Sequence, residues 1–232
     1  MIAFFQPEFL NGVEFLTEED SNHCIRVLRQ TVGDNIEILN GKGAKAVVEI
    51  IDANPVKVQF RILHKEIIPQ RSYSIHLAIA ATKNHERLEW CIEKCTEIGV
   101  KKITIINCRH SERIKIREAR LLKKIASAVK QSHNPFLPEL KAILPFTQLI
   151  SSSSEDERFI CYVDKLQPNH LYNLATPNKS YCVVIGPEGD FTQDEIRLAE
   201  ENDFQKVSLS ANTLRTETAG VYAVSALNLI NC

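Results

Sequence analysis

At 232 residues the chain has room for one large domain or two small ones with an ample core, and its 44% hydrophobic and 25% charged residues are the proportions of an ordinary soluble protein. No apolar run reaches membrane-spanning length, the N-terminal Met-Ile-Ala-Phe-Phe-Gln-Pro lacks the basic start and cleavage site of a signal peptide, and seven scattered cysteines without a CxxC pair point to reduced thiols in the cytoplasm rather than a disulfide framework. A net charge of −1 does not by itself suggest a nucleic-acid partner.

Residues 1–66 predict a small β-rich unit. Ala3–Phe5 is a short apolar strand. Thr17 to Asp20 has capping-box spacing and opens a helix to about Leu28, which puts Arg26 and Arg29 three apart on one face. Asn35–Leu39 is a strand, Asn40-Gly41 a hairpin turn, and Ala44–Ile51 and Val56–Lys65 carry the alternation of two further strands. Several short strands with one helix suggest a small barrel, PUA-like or OB-like. Residues 67–72 form a linker, giving domains of 1–70 and 71–232.

From residue 74 the rhythm changes to alternating strands and helices, the pattern of an α/β domain. Ser74–Ala80 is a strand, Asn84 to Ile98 a helix stopped by Gly99, and Lys102–Asn107 the next strand. A polar loop, Arg109 to Arg113, leads into a basic helix ending near Lys130. Residues 101–130 hold ten Lys or Arg against two Glu, a local excess that fits either a phosphate-facing patch or a solvated helix face. Cys91 and Cys95 with Cys108 and His110 could be read as metal ligands, but their spacing lacks a tight pair and fits buried structural thiols better, so no metal is expected. Residues 151–157 suggest a flexible Ser-rich loop, Arg158–Val163 a strand, and 165–180 a surface connection.

The last fifty residues carry the chemistry. Residues 181–185 and 207–209 are short apolar runs that end abruptly in loops, Gly186-Pro187-Glu188-Gly189 and Ser210 to Thr216, and each loop precedes a helix. The first of these helices opens at Thr192 to Glu195 with capping-box spacing. Two strand–loop–helix units in series predict a parallel sheet with loops gathered at the strand C-termini, where open α/β sheets bind ligands. Gly186 and Gly189 permit close backbone approach, and Arg215 and Glu217 are long charged side chains in the second loop.

Ile185-Gly186-Pro187-Glu188-Gly189 followed by Leu214-Arg215-Thr216-Glu217-Thr218-Ala219 resembles the RsmE family, the 16S ribosomal RNA (uracil-N3)-methyltransferases of the SPOUT superfamily. His23 to Arg29 is similar to that family's HxxRVLR segment, and Lys83, Arg87, Lys94, Glu97 and Gly99 fall on another of its segments. Lys130 to Leu140 matches only in part, keeping Gln131 but placing His133-Asn134 around the expected arginine. Asp190 stands where the family commonly has a third glycine, and Ser210-Ala211-Asn212 replaces its Gly-x-Arg.

The resemblance implies a C-terminal domain with a trefoil knot, a small N-terminal RNA-binding barrel of PUA type, a homodimer, S-adenosyl-L-methionine as cofactor and the rRNA of the small ribosomal subunit as substrate. It implies cofactor contacts from Ile185, Gly186, Pro187, Glu188, Gly189, Leu209, Ser210, Leu214 and Thr216, and RNA contacts from Arg26, Arg29, Lys83 and Arg87. A sulfonium is already a good leaving group, so the reaction requires neither a metal nor a covalent intermediate; it requires in-line positioning and loss of the uracil N3 proton. Arg215 suits stabilisation of the developing anion. Glu217, in the same loop, is the first candidate for the base and Glu188 the second; Glu217 could equally favour the helix dipole or pair with Arg215. Other readings are a SPOUT enzyme acting on tRNA or on a ribose oxygen, and a non-catalytic RNA-binding protein, against which the intact 214–219 motif argues. A nucleotide-binding oxidoreductase would need a GxGxxG that is absent.

Overall fold

In β3 (Ala44–Asp52) Ala44, Ala46, Val48 and Ile50 are buried and the residues between them are not, the period of two that fixes one face of a strand on a core. With β1 (Ala3–Phe5), β2 (Asn35–Leu39) and β4 (Gln59–Ile67) it forms a sheet of order β1-β2-β3-β4, parallel between β1 and β2 and antiparallel elsewhere. The computed structural model describes residues 1–111, 116–162 and 169–232. It divides into one unit of residues 1–70 with 126–137 and another of 71–125 with 138–232.

The first unit packs Phe4, Phe9, Leu16, Ile36, Ile38, Val48 and Phe60 into one core. The turn at Asn40 is held by its own side chain, whose Oδ1 accepts from the backbone N–H of Lys42 and of Ala44, both at 2.8 Å. Residues 126–137 belong here because the same turn completes its backbone pairing with them: Gly43 N donates to Pro135 O and Leu137 N to Gly41 O, both at 2.9 Å.

The helix expected from residue 17 to about 28 differs in kind. An α-helix, α1 (Glu18–Asn22), capped by Thr17 Oγ1 accepting from Asp20 N, gives way to a π-helical turn over His23–Val27, where Leu28 N donates to His23 O at 3.0 Å. Arg29 lies beyond that turn with φ +56°, so Arg26 and Arg29 do not share a helical face as their spacing suggested; both are exposed.

The second unit is a six-stranded sheet, parallel throughout. Its strands are β5 (Ser74–Ala80), β6 (Lys102–Asn107), β7 (Glu139–Pro145), β8 (Glu157–Cys161), β9 (Ser180–Ile185) and β10 (Gln205–Val207), in the order β10-β8-β9-β5-β6-β7. β5 and β9 are almost wholly buried, as strands covered on both faces must be. On one face lie α2 (His85–Ile98) and α7 (Thr216–Ile230). They pack so closely that a Cβ on Gly220 would lie 2.9 Å from Cys91 Sγ and 3.1 Å from Ile79 Cδ1. On the other face Phe146, Leu149 and Ile150 of α4 (Phe146–Ser152) and Ile196 and Ala199 of α6 (Gln193–Glu201) cover Ala78, Ile160 and Val184. α3 (Glu118–Ser132) begins in this unit and ends in the first, and α5 (Leu171–Leu174) is a single turn.

β7, α4 and α5 are not among the expected elements. β7 is an edge strand with mostly exposed side chains, and α4 is two turns long with its serines at the end, so neither carries a strong period. Residues 153–155, expected to be flexible, are tied down: Ser153 Oγ donates to Glu155 Oε2 at 2.6 Å and Glu155 Oε1 meets His76 Nδ1 at 2.6 Å. Glu112, Arg113 and Lys115 of the basic stretch, and residues 163–168 of the expected strand end and connection, lie outside the described residues. Among the described residues no helix is long and apolar enough to cross a membrane.

The start of α6 carries both halves of a capping box. Thr192 Oγ1 accepts from Glu195 N at 3.2 Å and Thr192 N donates to Glu195 Oε2 at 2.9 Å. Thr192→Ala removes one half, and a loss of about 1 kcal/mol of unfolding free energy is expected in urea titration, with the m-value unchanged.

Candidate active site

Three adjacent parallel strands, β10, β8 and β9, end at the same edge of the sheet, and the chain leaving each of them walls a cavity of about 340 Å³. Its size falls within the range of small-molecule sites. Ile185, Gly186, Pro187 and Glu188 supply one wall, the 207–214 segment another, and Arg215, Thr216 and Ala219 at the start of α7 a third. Two contacts fix this geometry. Thr216 Oγ1 donates to Gly186 O at 3.0 Å, joining α7 to the loop after β9. A Cβ on Gly186 would lie 2.9 Å from the Phe191 ring, so the loop keeps its path only with glycine there.

Of the nine residues expected to hold a cofactor, Ile185, Gly186, Pro187, Glu188, Leu209, Ser210, Leu214 and Thr216 line the cavity. Gly189 does not; its carbonyl is turned to His110, whose Nδ1 donates to it at 3.0 Å and to Asp190 O at 3.1 Å. Asp190, the departure from glycine, has φ +59°, the left-handed conformation that explains why glycine suits the position and that aspartate also tolerates. Cys161 and Tyr162 at the end of β8, with Ser208, Asn212 and Thr213, also line the cavity. Asn212 and Thr213 were readable as loop neighbours of Ser210. Cys161 and Tyr162 were not, because only the strand order places β8 beside β9.

The two charged residues assigned to catalysis are separated. Arg215 lines the cavity at the N-cap of α7, and its side chain makes no hydrogen bond or ion pair among the described residues. Glu217, 8% exposed, does not line it; its carboxylate faces Arg87 on α2, with Oε1 3.6 Å from Arg87 Nε. The pair lies in a second cleft of about 330 Å³ with Asn84, Glu86, Trp90 and Thr218. α7 begins at Thr216 and each helical residue is rotated by about 100° from the one before, which is how two residues so close in sequence come to serve different clefts. Glu188 is exposed at the cavity, and its Oε1 accepts from Lys83 N at 3.2 Å.

The basic stretch is partly neutralised within the protein. Arg120 Nε lies 2.6 Å from the buried Glu89, Lys124 Nζ 3.2 Å from Glu93, and Lys130 Nζ 3.0 Å from Asp20. Cys91 and Cys95 are buried with sulfurs 3.9 Å apart. A different trio, His76, Glu155 and Cys182, brings metal-ligating atoms within 4.8 Å of one another among the described residues. It lies toward the N-terminal ends of β5 and β9, away from the cavity, and His76 already spends both ring nitrogens, on Glu155 and on Thr104 Oγ1 at 2.8 Å.

Residues 69–228 match the model of the RNA methyltransferase domain, and residues 16–63 that of the RNA methyltransferase PUA domain. The ribosomal RNA small subunit methyltransferase E of Buchnera aphidicola (subsp. Acyrthosiphon pisum) is 30% identical over 94% of this chain and 88% of its own; that of Bacillus subtilis is 26% identical over 92% and 88%. The structure of a ribosomal RNA small subunit methyltransferase E from Neisseria gonorrhoeae, bound to S-adenosyl methionine, superposes with a TM-score of 0.87 at 25% identity, covering 100% of this chain and 98% of that one. A domain match across most of the chain, a near full-length relative and a cavity at the strand ends agree: the chain belongs to the RNA methyltransferase family, among the ribosomal RNA small subunit methyltransferases E.

Proposed function

We propose that the protein methylates N3 of a uridine in the 16S rRNA of the small ribosomal subunit, with S-adenosyl-L-methionine in the cavity walled by residues 185–188 and 207–216. The observation that carries this is the cavity itself, in which eight of the nine residues expected at a cofactor converge from two separate loops. The cofactor supplies an electrophilic methyl group on a sulfonium. Backbone groups of the 186–188 and 208–214 segments hold and orient it, and the apolar Ile185, Leu209, Leu214 and Ala219 keep water from its non-reacting parts.

Arg215 reaches the uracil carbonyl oxygens and stabilises the charge that develops as N3 loses its proton. Glu188, at the cavity and within reach of solvent, takes that proton. Glu217 is assigned no proton transfer, because its carboxylate opens on the other cleft. Arg26, Arg29 and Lys83, all exposed, serve as phosphate contacts.

The course of the chain supports the knot that the family resemblance implies. β10 lies at the sheet's edge, residues 208–215 return past the ends of β8 and β9, and α7 then packs against β5. The exposed Tyr222 and Leu229 on α7 support a homodimer.

Nucleoside mass spectrometry of 16S rRNA from cells with and without the gene tests the proposal. 3-Methyluridine should vanish on deletion and return with the wild-type copy but not with Arg215→Ala. Unchanged 3-methyluridine would overturn the substrate assignment.

A further inference from the structure

Two departures from the family pattern fall in one cavity. Asp190 stands where that pattern has glycine and Asn212 where it has arginine, and both line the cavity walled by residues 185–188 and 207–216. One adds a carboxylate and the other removes a guanidinium, so both shift the charge of the cavity in the same direction. Among the described residues that line it, Glu188 and Asp190 stand against Arg215 alone, which leaves one negative charge in excess.

The turn that carries Asp190 is fixed by its backbone. Asp190 N donates to Pro187 O at 3.0 Å, and His110 Nδ1 donates to Gly189 O and Asp190 O, which holds the residue at φ +59°. Asp190 Oδ1 accepts from Phe191 N at 2.8 Å, and Oδ2 has no partner among the described residues. Partial burial raises the carboxyl above its ordinary value, against the weaker opposing pull of the Phe191 N–H and of His110. An acid in that state is stabilised by a cation brought into the cavity.

A sulfonium is a fixed positive charge, and methyl transfer removes it. S-adenosyl-L-methionine therefore carries one positive charge more than S-adenosylhomocysteine, while the two share adenosine, carboxylate and ammonium. A cavity with a negative charge in excess tells them apart by charge; a neutral one has little beyond the methyl group to work with.

We propose that Asp190, unopposed by a cation at position 212, selects the sulfonium-bearing methyl donor over its demethylated product and so limits inhibition by that product. The inference rests on the assignment of S-adenosyl-L-methionine to this cavity.

Calorimetric titration of the full chain with S-adenosyl-L-methionine, S-adenosylhomocysteine and sinefungin, which bears an amine in place of the methylated sulfur, tests this without turnover. Asp190→Asn keeps the acceptor for Phe191 N, tolerates a left-handed backbone and removes only the charge. It should weaken the two cationic ligands about tenfold and S-adenosylhomocysteine by no more than about twofold, so that the preference narrows. Asn212→Arg, at an exposed position, should narrow the same preference without disturbing the turn at Asp190.

If Asp190→Asn alters the affinity for all three ligands alike, or for none, the proposal is wrong, since the residue then acts through the shape of its loop or not at all. A wild-type chain that binds none of the three overturns the cofactor assignment with it. A charge preference that is lost in Asp190→Asn, in a protein that methylates no rRNA, would uphold the proposal and overturn the substrate assignment instead.

Discussion

Arg215→Ala should lower kcat for methyl transfer by about 10²–10³-fold, the usual effect of removing one group aimed at developing charge. Cofactor affinity and thermal stability should stay close to wild type. The separation of effects follows from how the residue is held. Its backbone sits at φ −69° and ψ 154°, and its carbonyl accepts the first hydrogen bond of α7 from Ala219 N at 2.8 Å, an interaction that alanine keeps. The side chain neither caps the helix nor pairs with an acid among the described residues. Single-turnover transfer and calorimetric cofactor titration on the same preparation check this. Arg215→Lys should recover only part of the rate, since an ammonium cannot bridge two acceptors as a planar guanidinium can. A wild-type rate in Arg215→Ala would remove the residue from the chemistry.

Acid should weaken the second unit through Glu155. Burial alone would push its carboxyl up, but the hydrogen bonds with His76 and Ser153 outweigh burial and hold it at about 2, against an ordinary 4.5. A carboxylate depressed in the folded state contributes stability that is fully present above the unfolded value and is lost as pH falls. The window here is therefore pH 4.5 down to 2, and the loss attributable to this group is roughly 3 kcal/mol. Glu155→Gln still offers His76 an oxygen but cannot titrate. Its stability deficit in urea should be largest at neutral pH and shrink toward zero near pH 2. A deficit that is independent of pH would mean that Glu155 acts by shape rather than by charge.

The sequence was most informative where one signal depended only on its neighbours. The strands β5, β6 and β9 were readable as short, mainly apolar runs, the cap of α6 as Thr192 and Glu195 three apart, and the end of α2 as Gly99, whose φ of +104° and N–H donation to Cys95 O complete the turn. It was least informative where position depends on partners far along the chain. The π-helical turn at His23–Val27 leaves no mark in the apolar pattern, so the shared face of Arg26 and Arg29 was a false inference from ideal helical spacing. Arg215 and Glu217 lie in one loop by sequence, yet α7 begins between them and sends Glu217 toward Arg87. His76 and Glu155, 79 residues apart, were invisible as a pair because their proximity is set by how β5 and β8 flank β9.

The strand order also governs when the protein becomes competent during synthesis. Among the described residues, all that line the cavity lie at or beyond Cys161, while β5, the strand beside β9 at the centre of the sheet, is complete at Ala80. A nascent chain emerging from the ribosome can complete its first hydrophobic cores but lacks one wall of this cavity until the start of α7 is released. The methyl donor therefore cannot chaperone early folding. It acts only once α7 is in place, where a concentration 100-fold above its dissociation constant would add about 2.7 kcal/mol to the native state and make the docking of α7 hard to reverse.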